Sequence, residues 1–415
     1  MKVKQIEICV QEMIHDPQLL VKSRLKAGAF TRKCEGGMGF SDALCFLLDM
    51  SHVTLQKRLD LFYRQVKGAK AISQAAFSQI RANFSHKPFE HMVRELVRKE
   101  YSGKEALPEW KGFLVLAVDG SYLQLPWNPE LARVFGVRGG GNRPNAGISV
   151  LYDVLNGWVL DAEIDRTDRN ERHALDRHID FLAGELPNIA AQALLLLDRG
   201  YPSYDLLQKC EEKGLKFVMR CSTNSFKAAG EAPIGDSTVM LGNGQTFRIV
   251  KFMLKSGEVE TLATNLLDLP EADFHALYAM RWGVETLYHK LKNVVGVEKF
   301  SGRTPNSIRQ DFWASLLLLN VAAVFQKEAD EAIAERRKDK QLKHSYRARS
   351  TDLMVTLRDR LIFARLCGHP DLARWEIDNI LDEIARSLSS VRPDRHFPRV
   401  SRPFAKARQN LKSVL

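Results

Sequence analysis

Apolar residues along this chain keep one spacing up to residue 105, change it at residue 112, and return to it after residue 270. In "VTLQKRLDLFYRQV", "SQAAFSQIRANF" and "KPFEHMVRELVRKEY" they recur three and four positions apart, which predicts helices. "KGAKAIS" separates the first two, and Ser73 stands where a helix N-cap is wanted. Two short helices around a glycine-containing turn fit a helix-turn-helix and a plain helical bundle equally well. In "DFWASLLLLNVAAVFQKEADEAIAERRKDK" and over 351–388 the helical period returns, and the tail "VRPDRHFPRVSRPFAKARQNLK" is broken by prolines and reads as extended.

Between these helical ends the pattern is that of strands. "GFLVLAVDG" and "AQALLLLDRGY" are continuous apolar runs, each stopping at an aspartate, Asp119 and Asp198; such runs mark strands buried on both faces. "GISVLYDVL" and "GWVLDAEID" predict a hairpin around Asn156-Gly157. "ERHALDRHIDFLAGEL" and "SYDLLQKCEEKG" read as helices, "LKFVMRCS" as a strand. Residues 223–265 alternate between apolar and polar around "GNG" and "KSGE", a small β-rich insertion. The order βββαβαβ, β insertion, α describes an α/β domain with an interrupted mixed sheet. Three segments follow: a helical domain 1–105, an α/β domain 106–325, and a basic helical region 326–415.

Charge sharpens this division. The net charge of +11 is distributed as +7 over 1–105, −4 over 106–330 and +8 over 331–415. Basic surfaces attract polyanions, and nucleic acid is the usual one; in a helix-turn-helix Gln74, Gln79 and Arg81 would be available to touch DNA. No apolar run of bilayer-spanning length and no strongly hydrophobic basic helix accompanies the charge, so a membrane partner is not expected. The N-terminus "MKVKQIEICVQEM" lacks an uninterrupted apolar stretch, and six cysteines form no CxxC pair. Both point to a reducing, cytoplasmic setting.

An acidic middle would repel DNA unless cations sit there, which directs attention to carboxylates. Asp119 and Asp198 lie at the C-terminal ends of buried strands, where open α/β sheets gather their ligand sites. A third carboxylate, Glu285, lies in "YAMRWGVETLYHKLK". Stepped at about 100° per residue, one helix through this stretch puts Tyr278, Arg281, Glu285 and Lys292 on a single narrow stripe, flanked by Trp282 and His289. Leu277, Met280, Val284, Leu287, Leu291 and Val295 gather on another face. Hard divalent cations seek such oxygens, and two of them about 3.5–4 Å apart serve phosphodiester chemistry. By itself the stripe also fits a solvated helix face with an Arg281–Glu285 pair.

The blocks "LAVDGSYLQLP", "LLLLDRGYPSYDLL" and "YAMRWGVETLYHKLK" together resemble the three catalytic blocks of the DDE transposases of bacterial insertion sequences. The spacing Tyr-x2-Arg-x3-Glu-x6-Lys, met by Tyr278, Arg281, Glu285 and Lys292, is similar to the signature of the family-four group. The resemblance covers most of 70–325, and "SQAAFSQIRANFSHKPFEHM" looks like that group's end-binding region.

It implies a ribonuclease H-like catalytic core with the β insertion, flanked by helical domains. It also implies two Mg²⁺ ions (Mn²⁺ substituting) on Asp119, Asp198 and Glu285, with Tyr278, Arg281 and Lys292 on DNA at a cleaved transposon end. Arg281 offers phosphate a bidentate fork, Lys292 a point charge, and Trp282 a surface for base stacking. The expected partners are double-stranded DNA, as transposon ends and target, and a second copy of the chain. A catalytically inactive DNA-binding derivative and a ribonuclease H-like nuclease without transposition are the competing readings.

Four weaker signals read as structural. "RGGGNRP" (138–144) matches no phosphate-binding motif and reads as a loop. In "DRTDRNERHALDRH", His173, Asp176 and His178 read as a capped, solvated helix start rather than a metal site. Asp153 precedes the hairpin turn and reads as a turn former; "CGHP" (367–370) lacks partners for zinc.

Overall fold

The two longest apolar strand runs become neighbours in the middle of one sheet. β1 (Leu114–Gln124) pairs in parallel with β4 (Ala193–Leu197), and β4 in parallel with β5 (Lys216–Cys221). All five residues of β4 are buried, which explains why its sequence is a run of leucines rather than an alternation. On one side β2 (Asn145–Asp153) and β3 (Trp158–Arg166) form the expected antiparallel hairpin. On the other, β6 (Gly235–Met240), β7 (Thr246–Met253) and β8 (Val259–Thr264) are the β-rich insertion. This insertion is no separate module: β8 pairs antiparallel with β5, giving eight strands in the order β3-β2-β1-β4-β5-β8-β7-β6. The helix Glu171–Glu185 packs on β3 and on the helix Tyr204–Glu212, which in turn packs on β5.

These coordinates are a computed structural model, which describes residues 1–392 except 32–35, 49–52, 104–105, 140, 223, 241–243, 245, 255 and 367–369. Most of "CGHP", the proline-broken tail, Gly140 of the glycine-rich loop and Cys34 therefore lie outside the described residues. Cys9, Cys45, Cys210 and Cys221 are free thiols.

The chain gathers into two units. One combines Met1–Leu96, Gln124–Asn145 and Lys290–Leu415; the other combines Val97–Leu123 and Ala146–His289. In the second unit the hairpin turn is fixed by Asp153, which is fully buried. Its carboxylate accepts from the Tyr101 hydroxyl (2.8 Å), the backbone N–H of Leu155 and Asn156 (3.0 Å each) and the Asn156 amide (2.8 Å). Gly157 closes the turn at φ 76°, where a side chain would be strained. The turn-forming role expected for Asp153 holds.

The first unit is organised by the helix Pro305–Glu335. Thr304 caps it and Pro305 opens it, a pairing that suits helix N-termini. At 31 residues it is long and apolar enough to cross a membrane by length and composition, more than its sequence suggested, yet 89% of its most apolar window is buried inside the protein. A helix apolar all round is the core of its unit here.

The polar residues it buries are held by one arginine. Arg81 donates to the Gln310 side chain (2.6 Å), Ser301 Oγ (2.7 Å), the Ser307 carbonyl (2.8 Å) and Asp311 (2.9 Å). Burial lowers its pKa, and Asp311 opposes that loss. The two helices expected around a glycine turn are present, Leu55–Phe62 and Gln74–Arg81, with Gly68 left-handed after a π-helical turn. Arg81 is thus corrected: it is buried and committed to the core, whereas Gln74 and Gln79 are exposed.

Breaking a buried ion pair by removing one partner costs about 3–5 kcal/mol, because the other charge is left uncompensated. Arg81→Ala should destabilise the protein by that amount in denaturant titration followed by far-UV circular dichroism. A loss under about 1 kcal/mol would mean that the pair is dispensable.

Candidate active site

Strand register decides which carboxylates meet. β1 and β4 run in step from Leu114–Ala193 to Ala117–Leu196. Carrying the register on by two residues sets Asp119 level with Asp198, on strands about 4.8 Å apart. The buried run of β1 stops at Val118 as its sequence predicts, but the strand itself continues to Gln124, so Asp119 sits within a strand and not at its end. Each aspartate accepts from the backbone N–H of a glycine close behind it: Asp119 from Gly120 (2.9 Å), Asp198 from Gly200 (2.8 Å).

The third block is not one helix. Residues Asp273–Ala279 and Trp282–His289 form two helices, joined by i to i−3 bonds at Met280, Arg281, Gly283 and Val284. A π-helical turn, Lys290–Val295, follows directly. A tightened turn and a widened one each change the angular step, so the single 100° stripe does not carry through to Lys292. Gly283 is needed where the chain tightens: a Cβ there would lie 3.0 Å from the side chain of Val154.

Two tyrosine hydroxyls fasten this segment to the strands that carry the aspartates. Tyr288 donates to the Asp119 carbonyl (2.6 Å), and Tyr278 to the carbonyl of Leu197, just before Asp198 (3.3 Å). Tyr278, a predicted DNA contact, is buried in this arrangement. Arg281 lies between a strand carboxylate and a helix carboxylate, 3.5 Å from Asp119 and 2.8 Å from Glu285. Trp282 is half exposed. Lys292 belongs to the other unit; burial lowers its pKa, with Glu298 opposing.

Electrostatics mark Asp119 as the least comfortable member. Burial above all, then the charges of Asp198 and Glu171, raise its pKa from 3.8 to about 6, against the opposing pull of Arg281 and the Gly120 N–H. Burial works against the Arg281 charge too, but Tyr278, Asp119, Glu285 and Asp198 together hold its pKa above the ordinary value. Burial, with the charges of Glu171 and Asp119 next, drives the Tyr201 phenol well above its usual range.

Such an excess of carboxylate oxygens fits a hard divalent cation, which would relieve the repulsion that Arg281 now relieves. Among the described residues no three His, Cys, Asp or Glu side chains converge as one ion requires. An ion shared by Asp119, Asp198 and Glu285 therefore requires Arg281 to release at least one of them.

Sequence reasoning missed Glu171, Tyr201 and Tyr288. Only Tyr288 left a local trace, one turn after Glu285 on the same helix. The helix start at Glu171 is capped by Asn170 as expected, but His178 is not solvated. It is fully buried, with Nε2 3.0 Å from Ser149 Oγ and Nδ1 2.8 Å from Asp161. This chain of three fixes the helix Glu171–Glu185 on the hairpin.

Residues 110–321, half of the chain, match a family model described as Transposase DDE domain. The chain is 25% identical over 244 residues to "Transposase InsG for insertion sequence element IS4" of Escherichia coli, an overlap of 52% of each chain. It is 26% identical over 156 residues to "Probable transposase for insertion sequence element IS5377" of Geobacillus stearothermophilus, covering 34% of this chain and 41% of that one. The chain thus spans about half the length of the curated relatives it matches. In fold it is similar to a piggyBac transposase solved by cryo-EM in a synaptic complex with hairpin DNA. That likeness has a TM-score of 0.50 at 13% identity, over 90% of this chain and 84% of that one. The mixed α/β, ribonuclease H-like fold expected from the sequence is thereby shown.

A carboxyl whose pKa is raised on folding favours the folded state fully below its unfolded value, and that contribution is lost as pH rises through the folded value. For Asp119 the window is about pH 4 to 6. Without divalent metal, Asp119→Asn should therefore be more stable than the parent at pH 7.5, by about 1–3 kcal/mol, and equal to it near pH 4. Urea titrations in chelator at both pH values test this; a parent that is more stable at pH 7.5 would show that Arg281 already compensates the charge.

Proposed function

Since this chain belongs to the DDE transposases, we propose that it is the transposase of an insertion sequence, binding the element's terminal inverted repeats and carrying out cut-and-paste transposition. The observation that carries this reading is that Asp119 and Asp198 both lie two residues beyond the last pair of the β1–β4 register, Ala117 with Leu196, with Arg281 3.5 Å from Asp119 and 2.8 Å from Glu285. In this reading Asp119, Asp198 and Glu285 hold two Mg²⁺ ions, with Mn²⁺ able to replace them. Bound there, such ions supply Lewis-acid activation of the attacking oxygen and stabilise the leaving one.

The chain's own groups do the rest. Asp119, Asp198 and Glu285 would hold those cations, whose charge would draw the reacting phosphodiester to the site. Water attacks the phosphorus at the element's end, and the departing oxygen becomes a 3′-hydroxyl. That hydroxyl then attacks the phosphorus of the second strand, closing a hairpin and releasing the flanking DNA as a 3′-hydroxyl; a second water reopens the hairpin, and the regenerated 3′-hydroxyl attacks a target phosphodiester, whose own 3′-oxygen leaves. Arg281, once freed from Glu285, offers its fork to a phosphate, and Lys292 adds a point charge. Trp282, half exposed, is the surface for an unstacked base. Tyr278 reaches DNA only by giving up its bond to Leu197.

Recognition of the repeats is assigned to the helical N-terminal residues, with Gln74 and Gln79 exposed on the second of the paired helices. A dimer on DNA would bring two ends together. Residues 1–96 share a unit with 290–415, so recognition is better tested by Gln79→Ala than by deleting the N-terminal segment.

The decisive experiment incubates the purified protein with labelled end DNA and Mg²⁺ and resolves nicked, hairpin and strand-transfer products. Alanine at Asp119, Asp198 or Glu285 should abolish cleavage and largely spare binding; normal cleavage by any one removes that residue from the site. Arg281→Lys should also impair cleavage, because an ammonium does not reproduce a fork. Lys292→Ala should slow hairpin closure and strand transfer more than the first nick. Equal slowing of every step would reduce Lys292 to a docking contact.

A further inference from the structure

A fourth carboxylate stands beside the pair. Glu171 opens the helix Glu171–Glu185, where an acidic residue is ordinarily explained by the helix dipole alone. Its carboxylate goes further than that. A Cβ added at Gly120, the residue after Asp119, would lie 2.6 Å from Glu171 Oε1. A Cβ added at Gly200 would lie 3.4 Å from Glu171 Oε2 and 3.1 Å from Asp198 Oδ1. The Glu171 and Asp198 oxygens are thus no farther apart than those two lengths laid end to end. The absence of a side chain at Gly120 and Gly200 leaves the room that these carboxylates take up.

The helix start is fastened to the same loop. Arg172 donates to the carbonyls of Gly200 (3.3 Å) and Pro202 (3.0 Å). Glu171 is exposed, so a solute can reach it. A second feature is a buried polar group close enough to these carboxylates to respond to their charge. The Tyr201 hydroxyl is fully buried and has no hydrogen-bond partner among the described residues. The carboxylates of Glu171, Asp119 and Asp198 are the charges it feels. A buried hydroxyl left without a partner costs about 1–3 kcal/mol, so its retention calls for a ligand that satisfies it.

We propose that Glu171 is a fourth ligand of the divalent-cation site, sharing one ion with Asp198, and that Tyr201 is a positioning residue whose hydroxyl donates to the hydration shell of that ion or to Glu171 itself. A hydrated, oxygen-preferring cation such as Mg²⁺ suits the arrangement, since it takes few protein ligands and keeps several waters. The inference rests on the reading of Asp119 and Asp198 as metal ligands, and its test separates the two.

Mn²⁺ binding to the full-length protein without DNA is measured by electron paramagnetic resonance for the parent, Glu171→Gln and Asp198→Asn. The Mg²⁺ dependence of nicking on end DNA is followed alongside for the parent and Glu171→Gln. Glu171→Gln should weaken one Mn²⁺ by about tenfold or more and raise the Mg²⁺ needed for half-maximal nicking by a similar factor, with excess Mg²⁺ restoring much of the rate. Parent-like binding by Glu171→Gln, with binding lost in Asp198→Asn, would overturn the role of Glu171 and leave the aspartates in place. Parent-like binding by Asp198→Asn would overturn the underlying reading and this inference with it. Tyr201→Phe should raise the melting temperature of the metal-free protein and shrink the further rise that Mn²⁺ produces. An undiminished rise would remove Tyr201 from the site.

Discussion

Two aspartates brought near each other by adjacent parallel strands are the constraint around which this unit is arranged. The β1–β4 register forces Asp119 and Asp198 together. Left alone, such a pair would take up a proton or separate. Their surroundings answer in two ways. Backbone N–H groups of Gly120 and Gly200 bond the carboxylates. Arg281 brings a positive charge to Asp119 and ties it to Glu285. Burial above all, and the Asp198 charge after it, still leave the pKa of Asp119 raised. A protein built only for stability gains nothing from this repulsion, and replacement by apolar residues is often the more stable solution for buried charges. Its presence fits the divalent-cation site proposed above.

The segment carrying Glu285 shows how such a site is held in place without strength of its own. Its two helices are short, and short helices owe their stability to packing rather than to propensity. Leu277, Val284 and Leu287 supply the packing. Tyr278 and Tyr288 supply direction, because each hydroxyl bonds a carbonyl at or next to one of the two aspartates. The tight junction at Met280–Val284 then presents Arg281 beside Asp119, which a continuous helix would aim elsewhere.

In the helical unit a single buried arginine performs a comparable task. Arg81 joins the helix Gln74–Arg81 to the core helix Pro305–Glu335, and so joins the two ends of the chain.

Much of this was legible in the amino-acid order. Continuous apolar runs announced β1 and β4, alternation announced the insertion, and Asn156-Gly157 announced the hairpin, because strand and turn preferences act between near neighbours. Asp119, Asp198 and Glu285 could be singled out because the apolar runs stop at two of them and a spaced signature contains the third. What the order could not reveal depends on partners far away in the chain. Arg81 looks like a surface residue until Gln310 and Asp311 arrive beside it, 229 and 230 positions on. Glu171 looks like an ordinary acidic helix start until the β1–β4 register sets Gly120 and Gly200 against its carboxylate. Tyr201 and Tyr288 show no polar role until burial removes their water. Local periodicity fixed the elements; strand register and burial, which no short stretch encodes, decided which charges stand together.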